Sequence, residues 1–293
     1  MANTSKPRFI LACDIGGTNT SLALVEHIQG RFTILRSRRF STQALPSLLG
    51  PIASFIQELK DSRADNLPEV CCVSAAGPVS GGKIQLTNAS WAIDAAEIET
   101  VFNIKTYLIN DFTAISYAVV LLDQDDPGQI TPIPHTDGSA PRAGTGMALV
   151  IGVGTGMGMG FVDKRADGSY LAYPSEGGHS ELPCHDTLSY ALHAWVSARQ
   201  GYEAGAELFL SGQGISNTFS FLCSGDFRPE LAIPYGFDAS GFAMAPSPAE
   251  KAILALPEQD RPAAIAAGRT KETRCALAME IFADLYARKV SSL

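Results

Sequence analysis

The sequence predicts an α/β protein of two lobes, and three observations carry that expectation. A glycine-rich hexapeptide, Asp14-Ile-Gly-Gly-Thr-Asn19, lies between the apolar runs Phe9 to Cys13 and Leu22 to Val25. A second glycine loop, Gly152-Val-Gly-Thr-Gly-Met-Gly-Met-Gly160, again sits between β-like runs, so the strand, loop, strand order of the start returns near the middle. At 293 residues the chain is long enough for two domains of ordinary size, each with its own core. Identity between the two halves is too low for an internal repeat.

Each element follows from local pattern. Phe9 to Cys13, Leu22 to Val25 and Phe32 to Leu35, separated by turn residues, predict an antiparallel meander. Ser47 to Lys60 carries Leu48, Ile52, Phe55, Ile56 and Leu59 at helical spacing, so a helix follows. Glu69 to Ala75 reads as a buried strand ending at Ala76-Gly77-Pro78, and Lys105 to Ile109 as another ending at Asn110-Asp111. Motifs at strand ends are expected in α/β sheets, where ligands lie beyond the carboxyl ends. Thr113 to Leu122 has the apolar density of a buried helix. Asp123 to Gly146, rich in Asp, Pro and Gly, reads as a connection between lobes. Met147 to Val153 and Gly160 to Asp163 are the strands around the second loop. Helices are expected at Thr187 to Gln200, Gly214 to Leu222 and Lys271 to Val290, and this last third shows no functional signal.

Composition excludes several classes. Hydrophobic residues make up 46% and charged residues 18%, as in soluble globular proteins, and the net charge of −8 would repel a nucleic-acid backbone. No stretch approaches the ~18 uninterrupted apolar residues of a membrane span. The five apolar residues before Asp14 are too few for a signal-peptide core. The six cysteines form no C-x-x-C pair, which fits reduced thiols in the cytoplasm. Cys71 and Cys72, neighbours on one strand, face opposite ways and read as small core residues.

The glycine loops suggest phosphate. Gly16 and Gly17 let backbone N–H groups approach an anion, Thr18 and Asn19 add donors, and Asp14 can orient a metal or water; an ordinary hairpin turn is the structural alternative. Gly77-Pro-Val-Ser-Gly-Gly-Lys83-Ile84 has Walker A spacing, but Ile84 stands where a hydroxyl should bind Mg²⁺, and the segment looks extended rather than helical. Gly152 to Gly160 fails the dinucleotide fingerprint because a β-like Phe161-Val162 follows. Asn110-Asp111 can be a helix cap; functionally, Asp111 can serve as general base toward a hydroxyl in phosphoryl transfer. Glu176-Gly-Gly-His179 lets a carboxylate and an imidazole point into one cavity and suits sugar hydroxyls. Cys184 and His185 lie nearby without the cluster a structural zinc needs, so no metal ligands and no zinc are expected.

In this order the motifs closely resemble the bacterial ATP-dependent glucokinases that lack the ROK-family cysteine cluster. The matches are Asp14 to Asn19, Ala76-Gly-Pro-Val79, Leu86-Thr-Asn88 with Trp91, Asn110-Asp-Phe-Thr-Ala114, Gly154-Thr-Gly-Met-Gly158, Glu176 to His179, and Glu207 with Ser211-Gly212. They cover residues 9 to 220. The resemblance implies an actin-like ATPase (ribonuclease H-like) fold, two α/β lobes around a cleft, with a small lobe over 1–111 and a large lobe over 112–293. It implies Asp111 as catalytic base and Asn88, Asn110, Glu176, His179 and Glu207 as sugar ligands. Asp14, Gly16, Gly17, Thr18 and Asn19, with Gly154, Thr155, Gly156 and Gly158, would surround the phosphates of ATP and its Mg²⁺. It also implies a homodimer. In that family a glycine-rich motif holding the adenosine follows the long C-terminal helix, whereas this sequence stops at Leu293, so glucose binding with weak ATP binding and low or absent turnover is expected. The expected activity is phosphoryl transfer from ATP to the 6-hydroxyl of glucose or a related hexose, in the cytoplasm; the alternative is a non-catalytic sugar-binding protein of the same descent.

Overall fold

β1 (Arg8–Ile15), β2 (Asn19–Ile28) and β3 (Arg31–Ser41) form the expected antiparallel meander. All three outrun their apolar cores because ladder hydrogen bonds continue through the polar flanks. The second turn is Gln29-Gly30, both at positive φ (51° and 79°), the handedness that matches strand twist in a two-residue hairpin. This computed structural model describes residues 6–62, 66–86, 89, 91–123, 125–141, 144, 146–242 and 245–293.

α1 (Leu49–Asp61) buries Ile52, Phe55 and Leu59, the stripe its spacing predicts. β4 (Val70–Ala75) follows, then a small antiparallel sheet of β5 (Val79–Ser80), β6 (Lys83–Gln85) and β7 (Ala92–Asp94) that local pattern did not reveal. Ile84 is a strand residue, as the rejection of a Walker loop requires. α2 (Ala95–Phe102) is capped by the Asp94 carboxylate, which accepts from the Ala96 N–H. β8 (Lys105–Asn110) and α3 (Asp111–Val119) complete this part. The larger sheet has the order β3-β2-β1-β4-β8, and Phe9, Leu11, Cys13 and Ile15 alternate into its core with Phe55 and Val73.

Two expectations need correction. Cys71 is fully buried, but Cys72, on the opposite face, is only partly so. In α3 only Ser116 is buried, while Ile115 and Val119, and Leu121 and Leu122 just beyond the end of the helix, are exposed. Apolar density records how much surface wants burial and does not supply a partner to bury it.

β9 (Ala148–Val153), β10 (Met157–Lys164) and β11 (Tyr170–Ser175) form the third sheet, in the order β11-β10-β9. After it come α4 (Thr187–Gln200), α5 (Gly212–Leu222), α6 (Pro248–Leu254), α7 (Arg261–Gly268) and α8 (Thr273–Ser291). Their core includes Leu192, Phe209, Phe219, Ile265, Ile281 and Leu285. A buried ion pair, Arg274 to Glu250 at 3.1 Å, ties α8 to α6, and the Arg274 Nε donates to the Leu222 carbonyl at 2.7 Å. The chain divides into two units, Met1–Ala148 with Val162–Pro174, and Leu149–Phe161 with Ser175–Leu293. Residue 111, where the sequence placed the boundary, lies inside the first unit because α3 packs on β8 and β4. No helix among the described residues is long and apolar enough to cross a membrane.

Asp186 caps α4 in a reciprocal box with Ser189. Burial raises the Asp186 pKa, but the Ser189 N–H and hydroxyl and the neighbouring His185 outweigh it, and the carboxyl lies below its usual value. Asp186→Ala should therefore lower the unfolding free energy by about 1 kcal/mol in urea titrations near neutrality. The folded pKa is the lower one, so the contribution is complete above the unfolded value of ~3.9 and is lost as pH falls through the folded one. Parent and variant should converge in acid; a constant difference would remove the ionised cap from the account.

Candidate active site

In the first unit, parallel pairing places Ile15 opposite Ala75 and Ala75 opposite Asn110. The ends of β1, β4 and β8 are therefore level, and the 14–19 hairpin, the Gly77 turn and Asn110-Asp111 all emerge from one edge of the sheet. This is where α/β proteins place ligands.

The hairpin tip is held from behind. The Gly16 N–H donates to the Asn19 carbonyl at 2.8 Å. The Gly16 carbonyl accepts from the Thr42 hydroxyl (2.8 Å), the Gly17 carbonyl from the Gln43 amide (3.0 Å), and the Thr18 carbonyl from the Thr42 N–H (2.9 Å). In a trans peptide the C=O and the following N–H point oppositely, so the N–H groups of Gly17, Thr18 and Asn19 face away from Thr42-Gln43. That is the arrangement an anion cradle needs. Thr42 and Gln43 carried no sequence signal, since their role exists only once β3 has folded back beside the tip. Asp14 is exposed, with its Oδ1 accepting from the Ser74 hydroxyl at 3.4 Å.

Asn110 caps α3: its Oδ1 accepts from the Phe112 and Thr113 N–H groups (2.9 and 3.2 Å), and its Nδ2 donates to the Gly77 carbonyl (3.3 Å). The capping role weighed from the sequence is thus present. Asp111 begins the helix, half-buried, with its Oδ1 accepting from the Phe112 N–H at 2.8 Å. Asn88 lies outside the described residues.

The second unit assembles the remaining candidates around β10. Gly154 and Gly156 close the β9–β10 hairpin through a 2.9 Å N–H to carbonyl bond, with Thr155 at its exposed tip and Gly158 in the strand that follows. The Glu207 carboxylate accepts from the Met157 N–H at 2.9 Å. A Cβ on Gly156 would stand 2.5 Å from Glu207 Oε2, so the carboxylate occupies the space a side chain would need. The Gly212 N–H donates to the Gly154 carbonyl at 2.9 Å, and Ser211, the α5 cap, donates to the Glu207 carbonyl at 2.7 Å. Glu207 and the start of α5 therefore grip the loop.

Glu176 and His179 flank a single 3-10 turn, their side chains open to solvent and Oε2 and Nε2 3.7 Å apart. The two glycines between them have a packing reason beyond flexibility. A Cβ on Gly177 would meet Met159 Sδ at 2.5 Å, and one on Gly178 the Met157 carbonyl at 2.2 Å. Only a turn without side chains can lie this close to β10.

Comparison with known proteins follows the same lines. The glucokinase family profile matches residues 11–293. The chain is 32% identical over 228 residues to a glucokinase of Nostoc punctiforme, covering 75% of this chain and 62% of that protein. It is 31% identical over 231 residues to a glucokinase of Pectobacterium atrosepticum, covering 77% and 66%. The chain thus spans just under two thirds of the length of these relatives. Among solved structures, a glucokinase from an Antarctic psychrotroph superposes with a TM-score of 0.68 at 24% identity, covering 96% of this chain and 76% of that one. Glucokinase from Balamuthia mandrillaris in complex with glucose superposes with a TM-score of 0.66 at 19% identity, covering 100% and 77%. These structures have the actin-like ATPase fold, and so does this chain.

Proposed function

The chain belongs to the glucokinase family, and from that premise we propose that it transfers the γ-phosphoryl group of ATP to the 6-hydroxyl of glucose in the cytoplasm. The observation that supports this reading most is the level edge of β1, β4 and β8, which carries the hairpin N–H groups and the Asp111 carboxylate together. Asp111 takes the 6-hydroxyl proton as the new P–O bond forms and the bond from the γ-phosphoryl group to ADP breaks. Asn88, Asn110, Glu176, His179 and Glu207 hold the sugar hydroxyls. The 14–19 and 154–158 loops hold the phosphates.

Among the described residues no three His, Cys, Asp or Glu side chains gather as a metal cage. The residues present fit Mg²⁺ in its usual mode with nucleotides, held mainly by phosphates and water with one or two carboxylates, and Asp14 is the carboxylate at the hairpin. When bound, Mg²⁺ neutralises phosphate charge.

Glu207→Ala should weaken glucose binding about 10- to 100-fold, the usual worth of a charged hydrogen-bonding partner. The same change should speed amide exchange at Met157, whose N–H it now holds. An unchanged glucose titration would remove Glu207 from the sugar site. The reading as a whole is tested by calorimetric titration of the parent chain with glucose, mannose and glucosamine. Saturable binding of glucose is the expected result, and absence of binding to all three sugars would overturn it.

A further inference from the structure

The long C-terminal helix gave no functional signal, yet one of its residues reaches the Glu176–His179 turn. Ile281, Leu285 and Lys289 form a single buried stripe on α8, and Lys289 is only 5% exposed. Its Nζ donates to the Ser180 hydroxyl at 2.6 Å and to the Glu181 carbonyl at 3.0 Å. The Ser180 hydroxyl in turn donates to the Gly177 carbonyl at 2.5 Å. The Ser180 carbonyl accepts from the Ala206 N–H at 2.8 Å, next to Glu207. A Cβ on Gly205 would lie 2.9 Å from the His179 carbonyl, so the 205–207 backbone sits directly against the turn.

We propose that Lys289 is a positioning residue, fixing through Ser180 both the Glu176–His179 turn and the Ala206–Leu208 segment that carries Glu207. The sugar role of those residues rests on the function proposed above. A buried ammonium has to be hydrogen-bonded, and here two of its donors are spent on the main chain and side chain that end the turn. Burial pushes the Lys289 pKa down, with Glu181 opposing, as expected for a desolvated amine. Nothing local requires a lysine here; an apolar residue would continue the stripe. The polar choice makes sense as an anchor for the turn.

The test uses Lys289→Met, Ser180→Ala and the double variant in the full chain. Lys289→Met keeps the stripe apolar, and Ser180 is exposed, so its truncation leaves the core intact. Amide exchange at His179 and Ala206 should rise about tenfold in each single variant, the scale set by losing one charged hydrogen bond. The double variant should rise no further, because both changes cut one relay. The midpoint of global unfolding should hardly move. Glucose KM should rise about tenfold with kcat and the ATP KM within twofold, a split that general loosening would not give. Unchanged exchange at these amides, or additive effects in the double variant, would overturn the proposal. A parent chain that binds no glucose would overturn the sugar reading instead, and the exchange data would still decide whether Lys289 holds the turn.

Discussion

Asp111→Ala is expected to lower kcat by about 10²–10⁴ while leaving glucose affinity within a few-fold, since general-base catalysis contributes to the rate and little to ground-state binding. The fold should tolerate the change. Asn110 keeps both of its caps on Phe112 and Thr113, and alanine is the best helix former at the position it would take. What is lost structurally is one carboxylate to Phe112 N–H bond and a negative charge at a helix start, together worth about 1 kcal/mol or less. Steady-state kinetics beside calorimetry separates the two effects. A variant with near-normal kcat would place the base elsewhere.

Gly178→Ala carries the second large effect, on stability and affinity together. Its new methyl would stand 2.2 Å from the Met157 carbonyl, and that oxygen belongs to the β10 backbone, which cannot swing aside as the end of a flexible side chain can. Either the turn lifts or the strand bends, which should destabilise the chain by about 1–3 kcal/mol, as overpacking does elsewhere. Because Glu176 and His179 ride on this turn, glucose affinity should fall at least tenfold, the equivalent of a 1.4 kcal/mol loss. Gly154→Ala is the matched control: a Cβ there meets nothing within 4 Å, and its unfolding midpoint should equal the parent's. If Gly178→Ala melts and binds glucose as the parent does, the close packing of the turn on β10 is not what holds the site.

Legibility followed the range of the interaction. The meander, the Ile52–Phe55–Leu59 stripe and the 187–200 helix were readable because periodicity and caps are local. The two- and three-residue strands β5 to β7 are too short to show a period, and β11 lacks an alternating run. The partners of the site were beyond reach for a different reason. Thr42 and Gln43 behind the hairpin, Glu207 on the Met157 N–H, and Lys289 under Ser180 each act across tens of residues through contacts that only the folded chain creates. The glycines show the same limit. Gly177 and Gly178 were legible as a motif, but their reason, the side chain of Met159 and the carbonyl of Met157, belongs to another strand.

The central claim is that this chain places phosphate on the 6-hydroxyl of glucose. Phosphorus NMR on the intact chain with glucose, ATP and Mg²⁺ reads that bond directly, since a phosphate on C6 couples to the two protons of that carbon. The account predicts a growing phosphomonoester signal coupled to two protons, with matching loss of the ATP γ signal, and at least about a hundredfold slower growth when Asp111 is alanine. A signal coupled to a single ring proton, or ATP consumed at the same rate with no sugar phosphate formed, would contradict it.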